Sequence, residues 1–249
     1  MSDWDAGTYD RVSDVQLSWA LVQLQRLPLN GGEVVLDGGC GSGRVTAELV
    51  RRIPEGRVYG VDASAAMVEH ARASLGQAAT ILHQDLVELA LPEPVDVVFS
   101  NATFHWVLDH EALFAALYRA MKPGARLVAQ CGGDGNIDSF LTAADAVAGE
   151  KPFAPQFDGW RHPWYFATAE DTAARLMRAG FTDVHCWLGP GDVTPAEPRN
   201  FVRTVCLRHH LDQLPAELRD QFIDGVLARV GKPLVLDYVR LNMSAVRPK

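Results

Sequence analysis

The chain has 249 residues, of which 48% are hydrophobic and 22% are charged, a composition typical of a globular protein with a large core. Its formal net charge of −8 repels nucleic-acid phosphates, so we expect no nucleic-acid partner. No apolar run approaches the ~20 residues that a membrane helix needs, and the acidic N-terminus does not resemble a signal peptide. These features predict a cytoplasmic protein without a membrane partner.

The first half of the chain alternates short apolar runs with helical patterns. The apolar runs predict strands at residues 33–37, 57–62, 79–84, 95–100 and 125–131. The patterns between them predict helices at residues 45–52, 65–75 and 111–121, followed by a turn at residues 122–124. Apolar strands that alternate with helices are typical of a parallel sheet covered on both faces. We therefore predict an α/β fold with a Rossmann-like, doubly wound sheet.

The second half of the chain is less regular. Glycines, prolines and aromatic residues predict a partly irregular segment at residues 132–166, lying over the carboxyl edge of the sheet. The remaining patterns predict a helix at 169–179 between Thr168 and Gly180, a strand at 184–188, a helical region at 198–230 broken at Leu214–Pro215, and a strand at 234–246. The sheet would then have seven strands, mostly parallel, with an antiparallel last strand.

We expect one domain over residues 1–249, as a monomer or a homodimer. Residues 1–30 are predicted to form an N-terminal helical lid, and residues 33–131 the cofactor-binding core. Residues 132–167 and 197–232 are predicted insertions that could cap a substrate site. The four cysteines lack the spacing of a zinc site, so we expect reduced thiols and no metal.

The strongest functional signal is a glycine-rich turn between the first predicted strand and its helix. It reads Asp37-Gly38-Gly39-Cys40-Gly41-Ser42-Gly43. Glycines allow a tight turn and let a ligand approach the backbone closely. Their spacing is G-x-G-x-G, whereas the dinucleotide fingerprint is G-x-G-x-x-G. Asp37 at the strand end suits a cationic ligand better than a pyrophosphate; the alternative is a tight turn without a ligand.

Two further acidic residues follow the next predicted strands. Asp62 can accept hydrogen bonds from both hydroxyls of a ribose, and Asp85 can accept one from an adenine amino group. The alternative for each is a helix cap, with Asp62 preceding the helix that starts near Ser64. Together with Asp37, these acids stand at the carboxyl ends of adjacent strands, where doubly wound folds bind ligands.

These motifs resemble those of the class I S-adenosylmethionine-dependent methyltransferases. VLDGGCGSG resembles their first motif, VDAS their second and QDL their third, and the likeness covers residues 33–131. The resemblance implies S-adenosylmethionine as the cofactor, with S-adenosylhomocysteine as its product. The cofactor-binding residues that it implies are Asp37, Gly38, Gly39, Cys40, Gly41, Gly43, Asp62, Ala63, Met67, Asp85, Leu86, Ser100 and Asn101.

A narrower resemblance concerns the acceptor side. The segment from Ser100 to Val107, SNATFHWV, is similar to S-N-x-x-x-H-W-V in the trans-aconitate methyltransferases. The insect juvenile hormone acid methyltransferases carry a similar H-W pair and an N-terminal glutamine. The resemblance implies that Gln16 and Trp106 bind a substrate carboxylate through their N–H groups. The segment DYVRL near the C-terminus is also similar to these relatives, which adds Tyr238 and Arg240.

Several side chains could complete an acceptor site. His105, at the end of the fourth predicted strand, is either a general base or a packed histidine that orients Trp106. Three arginines could bind an anionic substrate or form surface salt bridges: Arg203, Arg208 and Arg240. Five aromatic residues could line an apolar pocket or belong to the core: Trp4, Tyr9, Trp160, Trp164 and Tyr165. We expect His209 and His210 to face solvent.

The favoured function is methyl transfer to the oxygen of a small carboxylic acid, with His105 and Trp106 as the catalytic pair. An alternative is C-, N- or O-methylation of a larger apolar metabolite, with His105 as the base. A second alternative, from another class, is a non-catalytic protein that binds the cofactor. The spacing of the glycine-rich turn disfavours a dehydrogenase.

Overall fold

The computed structural model describes residues 14–249. Within these residues, seven strands form one sheet in the order β3-β2-β1-β4-β5-β7-β6. The strands are β1 (Val34–Gly38), β2 (Arg57–Asp62), β3 (Thr80–His83), β4 (Val95–Asn101), β5 (Met121–Gly132), β6 (Thr182–Pro190) and β7 (Val239–Val246). Strands β1 to β5 pair in parallel, whereas β7 runs antiparallel to β5. The predicted fold class is confirmed.

Helices separate most of the strands, as the sequence predicts. They are α1 (Asp14–Gln25), α2 (Arg44–Arg52), α3 (Ala65–Leu75), α4 (His110–Ala120), α5 (Asp138–Ala148), α6 (Ala169–Arg178), α7 (Pro198–Phe201), α8 (Arg208–Gln213) and α9 (Ala216–Val230). The hydroxyls of Ser64 and Thr168 cap α3 and α6, because each accepts a hydrogen bond from a backbone N–H of the first turn. None of these helices is both long and apolar enough to cross a membrane.

The parallel register brings the ends of neighbouring strands to one edge of the sheet. Gly38, the last residue of β1, lies opposite Val61 of β2. Asp62, the last residue of β2, lies opposite His83 of β3. The strand-end acids therefore share the carboxyl edge, as the sequence predicts.

Apolar side chains cover both faces of the sheet. Leu36 belongs to one hydrophobic cluster and its neighbour Val35 to another, because successive strand residues point to opposite faces. Helix α1 contributes Ala20 and Leu24 to the cluster that contains Val35. This contact fixes α1 against the sheet.

The chain forms two compact units. The sheet unit comprises residues 14–134, 164–189 and 240–249, and the helical unit comprises residues 135–163 and 190–239. The helical unit has its own aromatic packing, in which the rings of Phe153 and Phe222 lie 5.2 Å apart.

The structure corrects three local predictions. The predicted turn at residues 122–124 lies inside β5, where the pairing with β4 shifts register. The segment 132–166, predicted to be partly irregular, contains α5, which begins after Ile137. The last strand begins at Val239 instead of residue 234, because residues 234–238 form only an isolated bridge with Val193. His210 is fully buried, so the prediction that it faces solvent is wrong.

Candidate functional site

Two positions of the glycine-rich turn accept only glycine. Gly39 has a φ of +78°, and a Cβ there would lie 2.1 Å from the side chain of Thr103. Gly43 has a φ of +90°, and a Cβ there would come within 2.9 Å of Leu75. An L-residue would meet both a strained backbone and a steric clash. The turn therefore packs tightly on its protein side.

The same turn is open at Gly41. Its φ is +54°, and a Cβ there would meet no atom within 4 Å. Its backbone N–H donates a hydrogen bond to Asp62 Oδ2 (2.8 Å), and Ser64 N donates to Asp62 Oδ1 (2.9 Å). A carboxylate can accept about four hydrogen bonds, so these two N–H groups fix Asp62 and leave it able to accept bonds from vicinal hydroxyls.

Asp37 is a buried acid beneath the turn. Thr46 Oγ1 donates a hydrogen bond to Asp37 Oδ2 (2.7 Å), which ties the end of β1 to α2. Burial raises the pKa of Asp37 from its ordinary value of 3.8 to about 7, and the negative charge of Asp62 contributes to the rise. A cation bound near Asp37 would favour its ionised form.

The next acid along the edge has a visible structural role. Asp85 Oδ1 accepts a hydrogen bond from Val87 N (3.0 Å), so Asp85 caps the 3-10 helix Leu86–Glu88. Leu86 is buried and lies within 3.5 Å of the point where a Cβ on Gly38 would be. Asp85 itself is exposed, so a cap role and a ligand role are compatible.

The other predicted cofactor-binding residues border these acids. Ser100 Oγ donates a hydrogen bond to Gly38 O (2.6 Å), which joins β4 to the turn. Cys40 is buried, and burial raises the pKa of its thiol. Ala63 O lies 3.0 Å from His83 Nε2, and Met67 is buried behind the cap of α3.

Two buried oxygen atoms in this unit lack a hydrogen-bond partner among residues 14–249. They are Gln16 Oε1 on α1 and Asn101 Oδ1 at the end of β4. The two residues are neighbours, because Asn101 Nδ2 donates a hydrogen bond to Gln16 O (3.0 Å). A buried acceptor without a donor is costly, so its presence points to a ligand that supplies one. An ammonium group would suit both oxygens.

Arg240, one of the residues predicted to bind the acceptor, is a buried arginine. Arg240, near the start of β7, is 4% exposed, and its guanidinium lies 4.3 Å from the ring centre of Trp19. Its Nε donates a hydrogen bond to Gln130 Oε1 (3.3 Å), and Gln130 Nε2 donates to Asn242 Oδ1 (2.7 Å). Gln23 on α1 donates to the same Asn242 oxygen (2.9 Å). These contacts fix the position of the Arg240 guanidinium and its positive charge.

His105 is neutral in this setting. Its pKa is lowered well below the ordinary value, first by burial and then by the positive charge of Arg240. Gly132 N donates a hydrogen bond to His105 Nδ1 (3.3 Å), so the ring proton lies on Nε2. The His105 ring lies 4.8 Å from Trp106, and Trp106 lies 5.9 Å from Trp164. The histidine therefore belongs to an aromatic cluster.

The structure distributes the predicted substrate residues unevenly. Gln16, Trp106, Trp164 and Arg240 lie in the sheet unit, with the cofactor motifs. Arg203 and Tyr238 lie in the helical unit, where Arg203 forms an ion pair with Asp220 and Tyr238 is buried. The predicted residues Trp4 and Tyr9 lie outside the described part of the chain.

Sequence reasoning missed the polar network around Arg240. Trp19 and Gln23 on α1 are distant in sequence from Gln130 and from Asn242, and none of the four belongs to a known motif. A signal was nevertheless present, because Gln130 and Asn242 interrupt apolar strand patterns. Polar residues that are buried in strands usually have a specific partner.

Comparisons with known proteins show which family and which relatives the chain resembles. Residues 36–129 match the family described as "Methyltransferase domain". Trans-aconitate 2-methyltransferase of Methylobacterium nodulans is 31% identical over an alignment of 271 residues, which covers the whole of both chains. The Variovorax paradoxus protein of the same name is 36% identical, and the match covers 97% of this chain and 95% of that protein.

Two solved structures show the same fold. Phosphoethanolamine N-methyltransferase 2 of Haemonchus contortus, in complex with S-adenosyl-L-methionine, superposes with a TM-score of 0.65 at 21% identity. The match covers 98% of this chain and 57% of that longer chain. The YcgJ protein of Bacillus subtilis superposes with a TM-score of 0.66 at 16% identity, covering 94% of this chain and 99% of that chain.

Proposed function

The chain belongs to the class I S-adenosylmethionine-dependent methyltransferases, in the group that includes the trans-aconitate 2-methyltransferases, and from this premise we propose that it methylates a carboxylate oxygen of a small polycarboxylic acid. The observation that carries this proposal is the buried Arg240 guanidinium, whose positive charge acts on His105, the residue before Trp106. Membership of an enzyme family leaves the non-catalytic alternative and the dehydrogenase without support.

We assign the cofactor site to the carboxyl edge of β1, β2 and β3. S-adenosylmethionine supplies an electrophilic methyl group on a sulfonium centre. Asp62 accepts hydrogen bonds from the ribose hydroxyls, and Asp85 accepts one from the adenine amino group. The open backbone at Gly41 permits close approach, and the oxygens of Gln16 and Asn101 accept hydrogen bonds from the ammonium group.

The protonation state of Asp37 should make the affinity for S-adenosylmethionine depend on pH. Because a cationic cofactor favours ionised Asp37, whose pKa is about 7, affinity for S-adenosylmethionine should rise about fivefold between about pH 6 and pH 7. Asp37→Asn should bind more weakly at both pH values and lose this dependence. Calorimetric titration of both proteins measures the effect.

Asp37→Asn should weaken cofactor binding but raise the stability of the cofactor-free protein. A carboxyl whose folded pKa exceeds its ordinary value of 3.8 binds protons more tightly in the folded state, so stability falls as pH rises between about 4 and 7. Asp37→Asn removes this loss, so the cofactor-free variant should melt above the wild type at about pH 8. A variant that binds the cofactor normally and melts lower would contradict the role given to Asp37.

The acceptor site needs orientation more than acid–base chemistry. A carboxylate is already ionised at neutral pH, so no residue has to remove a proton. We propose that Arg240 binds one carboxylate and that the Trp106 indole N–H and the Gln16 amide orient another. Holding reactants in line can contribute about 7–11 kcal/mol to catalysis. Neutral His105, with Nδ1 already engaged by Gly132, suits a positioning role; this geometry does not favour the alternative in which it is the base.

An acceptor panel tests the proposed function. Small di- and tricarboxylic acids, trans-aconitate among them, should give a kcat/KM at least tenfold above that of long-chain or terpenoid monocarboxylic acids, because a second carboxylate adds a charge-assisted bond of about 1.5–3 kcal/mol. Phenols should react negligibly. Equal or faster turnover of the apolar acids or the phenols would favour the larger apolar metabolite instead. Transfer of the labelled methyl group is the measurement.

A further inference from the structure

Three metal-binding side chains meet within the helical unit. Asp145 extends from α5, His162 from the segment after the 3-10 helix Ala154–Gln156, and His210 from α8. One ligand atom from each lies within 4.8 Å of the other two. We propose that these side chains bind a divalent transition-metal ion, with Zn²⁺ as the best match. None of the three is among the residues assigned to the cofactor or the acceptor, so the proposal does not depend on the proposed function.

The distances between the three ligands fit a small metal centre. His162 Nε2 lies 3.2 Å from Asp145 Oδ2, and His210 Nε2 lies 3.7 Å from Asp145 Oδ1. In a tetrahedral zinc site with bonds of about 2.0–2.1 Å, neighbouring ligand atoms are separated by about 3.3 Å. Small side-chain rotations are therefore sufficient to place all three around one ion.

Packing holds one ligand rigidly and leaves the others accessible. His210 is fully buried, with its ring 4.7 Å from Trp160 and 5.9 Å from Phe222. The side chains of Asp145 and His162 are 51% and 32% exposed. Both line an open groove of about 710 Å³. The groove provides an entry path and room for a water molecule as the fourth ligand.

The ligand set also indicates which metals are suitable. Two imidazole nitrogens and one carboxylate oxygen suit Zn²⁺ and neighbouring transition metals, whereas Mg²⁺ and Ca²⁺ prefer oxygen ligands. The three ligands come from segments that are 17 to 65 positions apart in the chain. A bound ion would therefore cross-link α5, α8 and the segment between them.

Metal titration of the full chain, free of any histidine tag and stripped with a chelator, tests the proposal. We expect one Zn²⁺ per chain with a Kd below about 10 µM, measured by competition with a chromogenic chelator. His162→Gln and Asp145→Asn should each weaken binding at least tenfold, because each removes one of three ligands. The control His185→Gln, which changes an exposed histidine on β6 in the sheet unit, should bind like the wild type.

A second measurement separates binding from misfolding. Zn²⁺ should raise the melting temperature of the wild type and of His185→Gln, but not of the two ligand variants, whose circular dichroism spectra should match the wild type. Mg²⁺ at the same concentration should leave all four unchanged. Binding weaker than about 10 µM, or binding that survives either ligand substitution, would overturn the proposal and leave a His–Asp–His cluster in which His162 pairs with Asp145.

Discussion

Asp62→Asn is expected to weaken S-adenosylmethionine binding about 100-fold. The asparagine keeps the size of the side chain but has one acceptor oxygen instead of two. It therefore loses charge-assisted hydrogen bonds to the two ribose hydroxyls, each worth about 1.5 kcal/mol, and a total of about 3 kcal/mol corresponds to this factor. The new amide N–H₂ also faces one of the backbone N–H donors at Gly41 and Ser64, which loosens the turn.

Asp96→Asn provides a matched control for this result. Asp96 is a half-buried carboxylate that accepts a hydrogen bond from Val34 N (2.8 Å) and pairs with Lys122. It lies at the amino end of β4, at the opposite edge of the sheet. This variant should lose some stability but bind the cofactor normally. Calorimetric titration measures the affinity of both variants for S-adenosylmethionine. An equal loss of affinity in the two variants would count against the assigned site.

Arg240→Gln is expected to lower kcat/KM for a polycarboxylate acceptor at least 100-fold while the affinity for S-adenosylmethionine stays within about threefold of the wild type. The guanidinium is buried, and removing one partner of a buried charge pair costs about 2–5 kcal/mol. Most of the loss should appear in KM, since the arginine binds a carboxylate that does not react. Arg240→Lys should fall between the two, because an ammonium group keeps the charge but not the planar geometry.

Arg247→Gln controls for the structural part of this effect. Arg240 lies near the start of β7, and Arg247 follows the end of this strand. Like that of Arg240, the guanidinium of Arg247 lies over an aromatic ring, 4.6 Å from the ring centre of Tyr118. Arg247→Gln should lower the stability of the protein without changing kcat/KM for the acceptor. If Arg240→Gln remains folded and retains its kcat/KM, Arg240 does not bind the acceptor.

The sequence predicted the strands and the glycine-rich turn well for a physical reason. A parallel sheet requires apolar strands, and a tight turn at Gly39 and Gly43 requires glycine. Both requirements act on neighbouring residues, so they leave local patterns. Strands β2 and β4 were therefore located to within one residue.

The polar network around Arg240 was less predictable because its contacts are distant in sequence. Gln130 bonds to Asn242 across 112 positions, and Gln23 bonds to Asn242 across 219 positions. Such partners cannot be paired without the fold. The burial of His210 was missed for the same reason, since the aromatic residues that enclose it come from separate segments.

The chemical nature of the methylated product tests the central claim most directly. The enzyme would be incubated with trans-aconitate and S-adenosylmethionine labelled in the transferred methyl group, and the product treated with mild alkali. Because a carboxylate acceptor gives a methyl ester, the label should be released as volatile methanol. A label that stays on the product after this treatment would show methylation at carbon, nitrogen or an ether oxygen and contradict the account.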